Sequence, residues 1–195
     1  MNLPNKISIV RICMIPVFVL FFFLDIPYNY LISAVVFMLA AFTDALDGHI
    51  ARSRNLVTNL GKFLDPIADK VLVATAFVLM VVNPFIFGLF GAWGIIVGAV
   101  CICLILAREL IISAFRQIAA TAGIVLAAEK LGKYKTAFQD ACVVVLLVSA
   151  SLTGKAQEIV NIVGLVLFAI AVVLTVISGV SYVVKNKQVL KDTQK

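Results

Sequence analysis

Six long apolar stretches, separated by short segments that contain charged, polar, proline or glycine residues, run along the chain. Each is close to the roughly 20 residues that an α-helix needs to cross the hydrocarbon core of a bilayer. The apolar residues are continuous rather than alternating, which favours helices over the strands of a membrane barrel. We therefore predict an all-α integral membrane protein with six transmembrane helices, over residues 7–24, 30–50, 60–82, 93–119, 136–152 and 158–184.

The composition of the chain agrees with lipid as its main solvent. Hydrophobic residues make up 63% of the 195 residues and charged residues only 13%, whereas soluble domains carry about 25% charged residues. So few charges cannot cover the surface of a soluble domain of this length. No low-complexity linker divides the sequence, and we expect a single membrane-embedded domain over residues 1–195.

Lysine and arginine residues concentrate in alternate loops between the apolar stretches. One set of loops carries only Lys155, and the other set and the termini carry Lys6, Arg52, Arg54, Lys62, Lys130, Lys133, Lys135, Lys185, Lys187, Lys191 and Lys195. Positive charge marks the cytosolic side, so both termini are predicted to be cytosolic in a multi-pass protein of the cell (cytoplasmic) membrane. The segment 120–135 is expected to be an interfacial connection on that side. Because the charges flank apolar spans, the net charge of +6 indicates a membrane surface, and no nucleic-acid partner is expected.

Four aspartates interrupt the second and third apolar stretches. Asp44 and Asp47 are three residues apart and Asp65 and Asp69 are four apart, so each pair lies on one face of its helix. Both pairs flank the same short cytosolic loop, which brings them to a similar depth. A lipid-facing aspartate at the middle of a helix costs about 2.5–3.5 kcal/mol, so we expect all four to face the bundle interior.

Four clustered carboxylates cannot all remain ionised without compensation. Their oxygens are hard ligands that suit Mg²⁺ or Mn²⁺. Two such ions would neutralise the four charges and leave coordination sites for a phosphate, as in two-metal displacement at phosphorus. The alternative is four structural aspartates that cap helix ends or pair with arginine and lysine. Since a cap uses one residue per helix end, the spacing favours metal ions.

Small residues accompany the aspartates. Gly48 and Ala51 lie on or near the face of the first pair, and Gly61 lies one turn before the second pair. A helix face of small residues lets a bulky ligand approach the backbone, or lets another helix pack closely. For Gly48 or Gly61 alone, the two interpretations are equally good.

The aspartates and small residues form one long motif, Asp-x2-Asp-Gly-x2-Ala-Arg-x8-Gly-x3-Asp-x3-Asp, over residues 44–69. This motif resembles the complete signature of the CDP-alcohol phosphotransferases, and eight specified positions at fixed spacing make it highly specific. Other segments resemble the bacterial phosphatidylglycerophosphate synthase branch: residues 2–11, 64–70, 107–110 and 132–136. The resemblance implies the fold of that family over nearly the whole chain and, by analogy, a homodimer.

The resemblance also implies roles for the residues of the motif. Asp44, Asp47, Asp65 and Asp69 would bind two divalent ions, and Asp69 would also be the general base for the attacking hydroxyl. The alternative is that the metal alone acidifies that hydroxyl. The residues implied to bind the nucleotide and its diphosphate are Gly48, Ala51, Gly61, Arg52, Asn5 and Ser8. For Asn5 and Ser8, an N-terminal helix cap is an equally good interpretation.

The expected acceptor, sn-glycerol 3-phosphate, is a dianion and needs a basic pocket open to the cytosol. Arg108 and Arg116 lie in the cytosolic half of the fourth stretch, and Lys133 and Lys135 precede the fifth. We expect these four side chains to bind the acceptor phosphate. The alternative is a set of salt bridges to Glu109 and Asp140, and for Arg108 the two interpretations are evenly balanced.

Together these inferences predict transfer of a phosphatidyl group from CDP-diacylglycerol to glycerol 3-phosphate, with membrane lipids around the enzyme. The same chemistry with inositol phosphate or serine as acceptor is the first alternative. A cation channel or carrier, with the aspartates as its selectivity site, is a remote second alternative, because the outer half of the spans offers no polar path.

Overall fold

The protein is described by a computed structural model, which gives the backbone of residues 3–53, 59–121 and 130–186 and the side chains of residues 5–43, 67–120 and 131–186. All regular structure in these ranges is helical. The α-helices are α1 (Leu3–Phe23), α2 (Asn29–Ser53), α3 (Asn59–Val82), α4 (Pro84–Phe87), α5 (Gly91–Thr121), α6 (Lys130–Ala150) and α7 (Gly154–Lys185).

The six long helices coincide with the six predicted stretches, so the all-α prediction is confirmed for the described residues. Among the residues whose side chains the structure describes, three segments are long and apolar enough to cross a membrane: Asn5–Phe23, Pro84–Ala120 and Gly154–Lys185. Within the same residues, a fourth apolar segment, Asn29–Thr43, is shorter. These long apolar helices are consistent with a membrane protein. The count of six spans and the side on which the termini lie stay predictions.

Aromatic side chains on different helices contact one another in the core of the bundle. Phe18 of α1 packs against Phe37 of α2, with ring centroids 6.0 Å apart. Phe168 of α7 contacts Phe77 of α3 and Phe87 of α4 at 5.9 and 5.3 Å. Such tilted and edge-on pairs add to the burial of the rings themselves. They fix how α1, α2, α3 and α7 rotate about their axes, and so determine which residues face inward.

The distribution of polar and apolar side chains is inverted relative to a soluble protein. Large apolar side chains such as Leu20, Trp93 and Val180 are exposed, while Ser8 and Arg11 are fully buried. Polar groups turn inward when the surrounding solvent is lipid, because hydrocarbon cannot satisfy them. The exposed apolar side chains are therefore suited to contact lipid acyl chains, and the buried polar side chains lie inside the bundle.

The segment between α3 and α5, which the sequence predicted as a loop, is helical for most of its length. Asn83 caps α4 by accepting a hydrogen bond from the Phe85 amide at 2.9 Å, and Pro84 occupies the first turn. Both residue types favour a helix start at these positions. A 3₁₀ turn over Gly88–Phe90 follows. Asn161 of α7 donates to the carbonyls of Phe85 and Ile86 at 2.7 and 3.1 Å, and these hydrogen bonds join α7 to α4.

The prediction of an interfacial connection over 120–135 is wrong at both of its ends. Helix α5 continues to Thr121, and α6 already begins at Lys130. Residues 122–129 lie outside the described residues. Lys133 and Lys135 therefore belong to the first turns of α6. The helical repeat gives them different directions, with Lys133 exposed and Lys135 buried.

Candidate functional site

The four predicted metal ligands lie on two helices that pack against each other. Asp44 and Asp47 are on α2, and Asp65 and Asp69 are on α3. Of the four, only Asp69 has a described side chain, which is half-buried. The remaining predicted residues of this region, whose side chains lie outside the described ones, are Asp44, Asp47, Gly48, Ala51, Arg52, Gly61 and Asp65.

Asp69 lines a cavity of about 150 Å³ between α3, α5 and α6. The polar part of its wall is formed by Asp69, Lys70, Glu109, Lys135, Thr136 and Gln139. Val73, Ala74, Ile105 and Leu106 form much of the apolar part. Two carboxylates, two lysines, a hydroxyl and an amide around one small space are the donors and acceptors that a polar ligand requires. This cavity is the candidate active site.

Glu109 links the cations of two helices beside the cavity. Its Oε1 atom accepts from Arg108 Nη1 at 3.0 Å and also forms an ion pair with Lys135 Nζ. The side chain of Lys135 is 5% exposed and that of Glu109 is 21% exposed. One carboxylate therefore partly neutralises two cations in a region of low dielectric constant, which lowers the free-energy cost of burying them. We call Arg108, Glu109 and Lys135 the Glu109 triad.

Lys70 extends the polar network towards α5. Its ammonium group donates to Ser113 Oγ, which in turn donates to the Glu109 carbonyl at 2.7 Å. Ser113 lies one turn after Glu109, so its hydroxyl reaches the carbonyl four residues back, as serine often does within helices. Lys70 is thereby held at the wall of the cavity, next to Asp69.

Arg108 lies against α7 as well as against Glu109. Its Nη2 atom donates to Ser178 Oγ at 3.0 Å. A Cβ atom built on Gly179 would lie 2.9 Å from Arg108 Cγ and 3.3 Å from its Nε. Real Cβ atoms essentially never approach another atom as closely as 2.9 Å, so the glycine makes room for the arginine. Arg108 Nε itself is buried and has no hydrogen-bond partner among the described residues.

Arg116, two turns further along α5, contacts a different residue of α7. Its Nε donates to Tyr182 OH at 3.1 Å, and its guanidinium carbon lies 5.2 Å from the centroid of the same ring. A guanidinium near a tyrosine ring is stabilised by the ring's quadrupole. Phe115 also packs edge-on against Tyr182, with centroids 6.1 Å apart. Arg116 is otherwise exposed, so it remains able to meet an anion.

The predicted nucleotide residues Asn5 and Ser8 lie on one buried face of α1, together with Arg11. Helix α1 begins at Leu3, which places both residues inside the helix. The N-cap interpretation is therefore wrong. Arg11 Nε donates to Thr43 Oγ1 at 3.3 Å, and Thr43 directly precedes Asp44 in α2. The polar face of α1 thus meets α2 where the aspartate motif begins.

The structure brings some of the predicted acceptor-site residues together and separates others. Lys135 joins Asp69 at the cavity, and Arg108 joins Lys135 through Glu109. Arg116 lies two turns away beside Tyr182, and Lys133 is exposed. The sequence did not predict any role for Ser178, Tyr182, Lys70 or Gln139. The available signal was the four-residue spacing of Ser178 and Tyr182, and of Lys135 and Gln139, which puts each pair on one helix face.

The comparisons with known proteins define the class. Residues 1–183 match the family model for CDP-alcohol phosphatidyltransferases, and the chain belongs to that family. The resemblance predicted from the motif is therefore confirmed.

Similar curated proteins narrow the class. A protein of Bacillus subtilis (strain 168), named CDP-diacylglycerol–glycerol-3-phosphate 3-phosphatidyltransferase, is 40% identical over 97% of each chain. Proteins of the same name from Rickettsia bellii (strain RML369-C) and Shigella flexneri serotype 5b (strain 8401) are 36% and 37% identical, each over 93% of this chain and 93% and 92% of their own.

Proposed function

We propose that this protein transfers the phosphatidyl group of CDP-diacylglycerol to sn-glycerol 3-phosphate, which gives phosphatidylglycerol phosphate and CMP. The observation that carries the proposal is the cavity that combines Asp69 with Glu109 and the buried Lys135, which belong to the Glu109 triad. A base beside paired cations suits an anionic alcohol. The name shared by relatives that align over more than nine-tenths of this chain supports the same acceptor.

In the proposed reaction, the acceptor's C1 hydroxyl attacks the lipid-side (β) phosphorus of the diphosphate. A new P–O bond forms to that hydroxyl oxygen, and the bond from the phosphorus to the bridging oxygen breaks. The bridging oxygen keeps the electron pair and leaves as part of CMP, and the hydroxyl proton passes to the carboxylate of Asp69. Asp69 suits this role because its carboxylate lines the space in which the acceptor would sit, within reach of its hydroxyl.

The proposed metal ligands are Asp44, Asp47, Asp65 and Asp69. Their carboxylates are hard oxygen donors of the kind that Mg²⁺ and Mn²⁺ prefer. The packing of α2 on α3 and the cavity-lining position of Asp69 fit such a site. When bound, two divalent ions supply charge neutralisation at the diphosphate.

The proposed nucleotide site lies on the α1 and α2 side of the cavity. Gly48, Ala51 and Gly61 would leave room for the cytidine, and Arg52 would grip the diphosphate, because its planar fork matches phosphate oxygens. Asn5 and Ser8 would hydrogen-bond the nucleotide from α1. Their burial on the face of α1 that carries Arg11, which reaches Thr43, favours this role.

The proposed acceptor-phosphate site uses Arg108, Arg116, Lys133 and Lys135. The Glu109 triad holds Arg108 and Lys135 in fixed positions, so less side-chain entropy is lost when an anion arrives. Arg116 is positioned separately from the triad, by the hydrogen bond that it donates to the Tyr182 hydroxyl. Exposed Lys133 would attract the acceptor from solution, where electrostatic steering raises the rate of encounter.

We further propose that the chain is one domain with six spans, both termini and the active site on the cytosolic side of the cell membrane, and that it works as a homodimer. The exposed apolar side chains support a surrounding of membrane lipids. The loop charges of the sequence support the orientation. The dimer is an analogy with the family, and cross-linking of the purified protein in detergent would test it.

The decisive experiment is an assay of CMP release by the purified protein with CDP-diacylglycerol, with and without glycerol 3-phosphate and Mg²⁺. Release that needs all three supports the proposal. Release that needs inositol phosphate or serine in place of glycerol 3-phosphate would keep the chemistry and change the acceptor. Ion flux into vesicles without CMP release would support a channel or carrier instead.

A further inference from the structure

Gln139 is a buried polar residue in the wall of the candidate active site. It lies one turn beyond Lys135 on the same face of α6, and the residue is 2% exposed. It lines the same cavity as Asp69 and Thr136. Its Nε2 atom is buried and has no hydrogen-bond partner among the described residues. Neither the sequence motif nor the proposed reaction gives this side chain a role.

An unpaired amide in this position is costly. A buried donor without an acceptor costs about 1–3 kcal/mol, and most buried polar groups in folded proteins are therefore paired. A leucine or methionine of similar size would avoid this cost. The neighbouring polar groups do have partners, since Lys135 pairs with Glu109 and Lys70 donates to Ser113. The missing acceptor for Gln139 is therefore expected to come from a molecule in the cavity.

The cavity and its other groups restrict what that molecule is. Its volume of about 150 Å³ is enough for several waters or a short polyol. A phosphate dianion is matched by the ammonium groups of Lys70 and Lys135 in the wall of the cavity, whereas a neutral amide is matched by a neutral hydroxyl. A hydroxyl both donates and accepts, so it complements either end of the amide.

We propose that Gln139 recognises the second hydroxyl of the acceptor, the C2 hydroxyl of glycerol 3-phosphate, and is a specificity-determining residue. This inference rests on the proposed function. The reacting C1 hydroxyl is assigned to Asp69, and the C2 hydroxyl is one carbon further along the acceptor. Asp69 and Gln139 line one cavity from α3 and α6, so adjacent hydroxyls of one small molecule meet both side chains.

The test compares two acceptors with and without the amide. Glycerol 3-phosphate carries the C2 hydroxyl, and 3-hydroxypropyl phosphate lacks it but keeps the reacting hydroxyl and the phosphate at the same separation. The variants are Gln139→Leu and Gln139→Met, so that a folding defect in one does not end the test. Gln157→Leu, the same change at a half-buried glutamine near the start of α7, is the matched control.

For the wild type and the control, we expect kcat/KM to be about 10- to 100-fold lower for 3-hydroxypropyl phosphate, because it leaves the buried amide unpaired. In both Gln139 variants, kcat/KM for glycerol 3-phosphate should fall by about the same factor. Their kcat/KM for 3-hydroxypropyl phosphate should stay within about threefold of wild type. The ratio between the acceptors then approaches one. The Tm of the substrate-free variants should not fall, because an unpaired donor has been removed.

Two results would overturn the Gln139 assignment and leave the proposed function standing. The variants would lose activity equally on both acceptors if Gln139 only shaped the cavity. The wild-type ratio would persist in the variants if Gln139 bonded only to water. By contrast, a wild type that releases CMP with neither acceptor would overturn the proposed function, and the Gln139 assignment with it.

Discussion

The Glu109 triad makes a quantitative prediction about stability. Glu109→Gln keeps the size of the side chain and removes the charge that Arg108 and Lys135 share. At an effective dielectric constant of about 20, opposite unit charges 3.0 Å apart attract by about 5.5 kcal/mol. Desolvation offsets part of this attraction, and removing one partner of a buried pair costs about 3–5 kcal/mol in practice. The partial exposure of Glu109 places the expected loss near the lower limit, about 3 kcal/mol.

The assay is thermal unfolding of the purified protein in a mild detergent. For a chain of this size, about 1 kcal/mol lowers Tm by about 2–4 °C, so Glu109→Gln should lower it by about 6–12 °C. Glu158→Gln makes the same chemical change at an exposed position of α7 and should leave Tm within about 1 °C.

A double-mutant cycle isolates the ion pair from other effects of the substitution. Lys135→Met and Glu109→Gln are measured alone and together, and residues in direct contact typically show coupling of about 0.5–3 kcal/mol. We expect at least about 1 kcal/mol, because the two side chains form an ion pair and Lys135 is buried. Additivity within about 0.3 kcal/mol, or a Glu109→Gln variant as stable as wild type, would refute the reasoning.

Three further predictions follow from the site and its supports. Asp69→Asn should lower kcat by about 10²- to 10⁴-fold with Tm unchanged, and near-wild-type turnover would show that Asp69 is not the base. Arg116→Ala should raise the KM for the acceptor more than the KM for CDP-diacylglycerol, and an effect on the lipid KM alone would move Arg116 to the other site. A Cβ at Gly164 would lie 2.6 Å from Leu146 Cδ2, so Gly164→Ala should cost about 1–3 kcal/mol by overpacking α7 against α6; an unchanged Tm would mean that Leu146 moves aside freely.

The sequence predicted the long helices well because apolar length alone defines them. The six stretches coincide with helices whose ends lie within a few residues of the predicted ones, except near 120–135. There the polar residues Lys130, Gly132 and Lys133 looked like a loop. In the structure they form the start of α6, because lysine is a good helix former and packing overrides the polar pattern. The Asn83–Pro84 start of α4 was readable in principle but lay in a segment too short to show periodicity.

The candidate site was predictable only where one helix face carried the signal. The spacing of Asp65 and Asp69 placed the latter on an inward face, and the structure puts it at the cavity. Arg108 could not be assigned between phosphate and Glu109 from sequence, since that choice depends on how α5 and α6 rotate. Ser178 and Tyr182 were missed because a single serine or tyrosine is unremarkable in an apolar helix. Their partners lie 70 and 66 residues away in the chain.

The sharing of one carboxylate by Arg108 and Lys135 has a consequence for turnover in the proposed acceptor site. Bare cations in an apolar interior would hold a phosphate dianion so firmly that the new lipid, which carries the same phosphate, could not depart. Glu109 competes for both cations and weakens that hold. The glutamate thus sets a balance between capture and escape, and a tighter-binding enzyme without it would be a slower one.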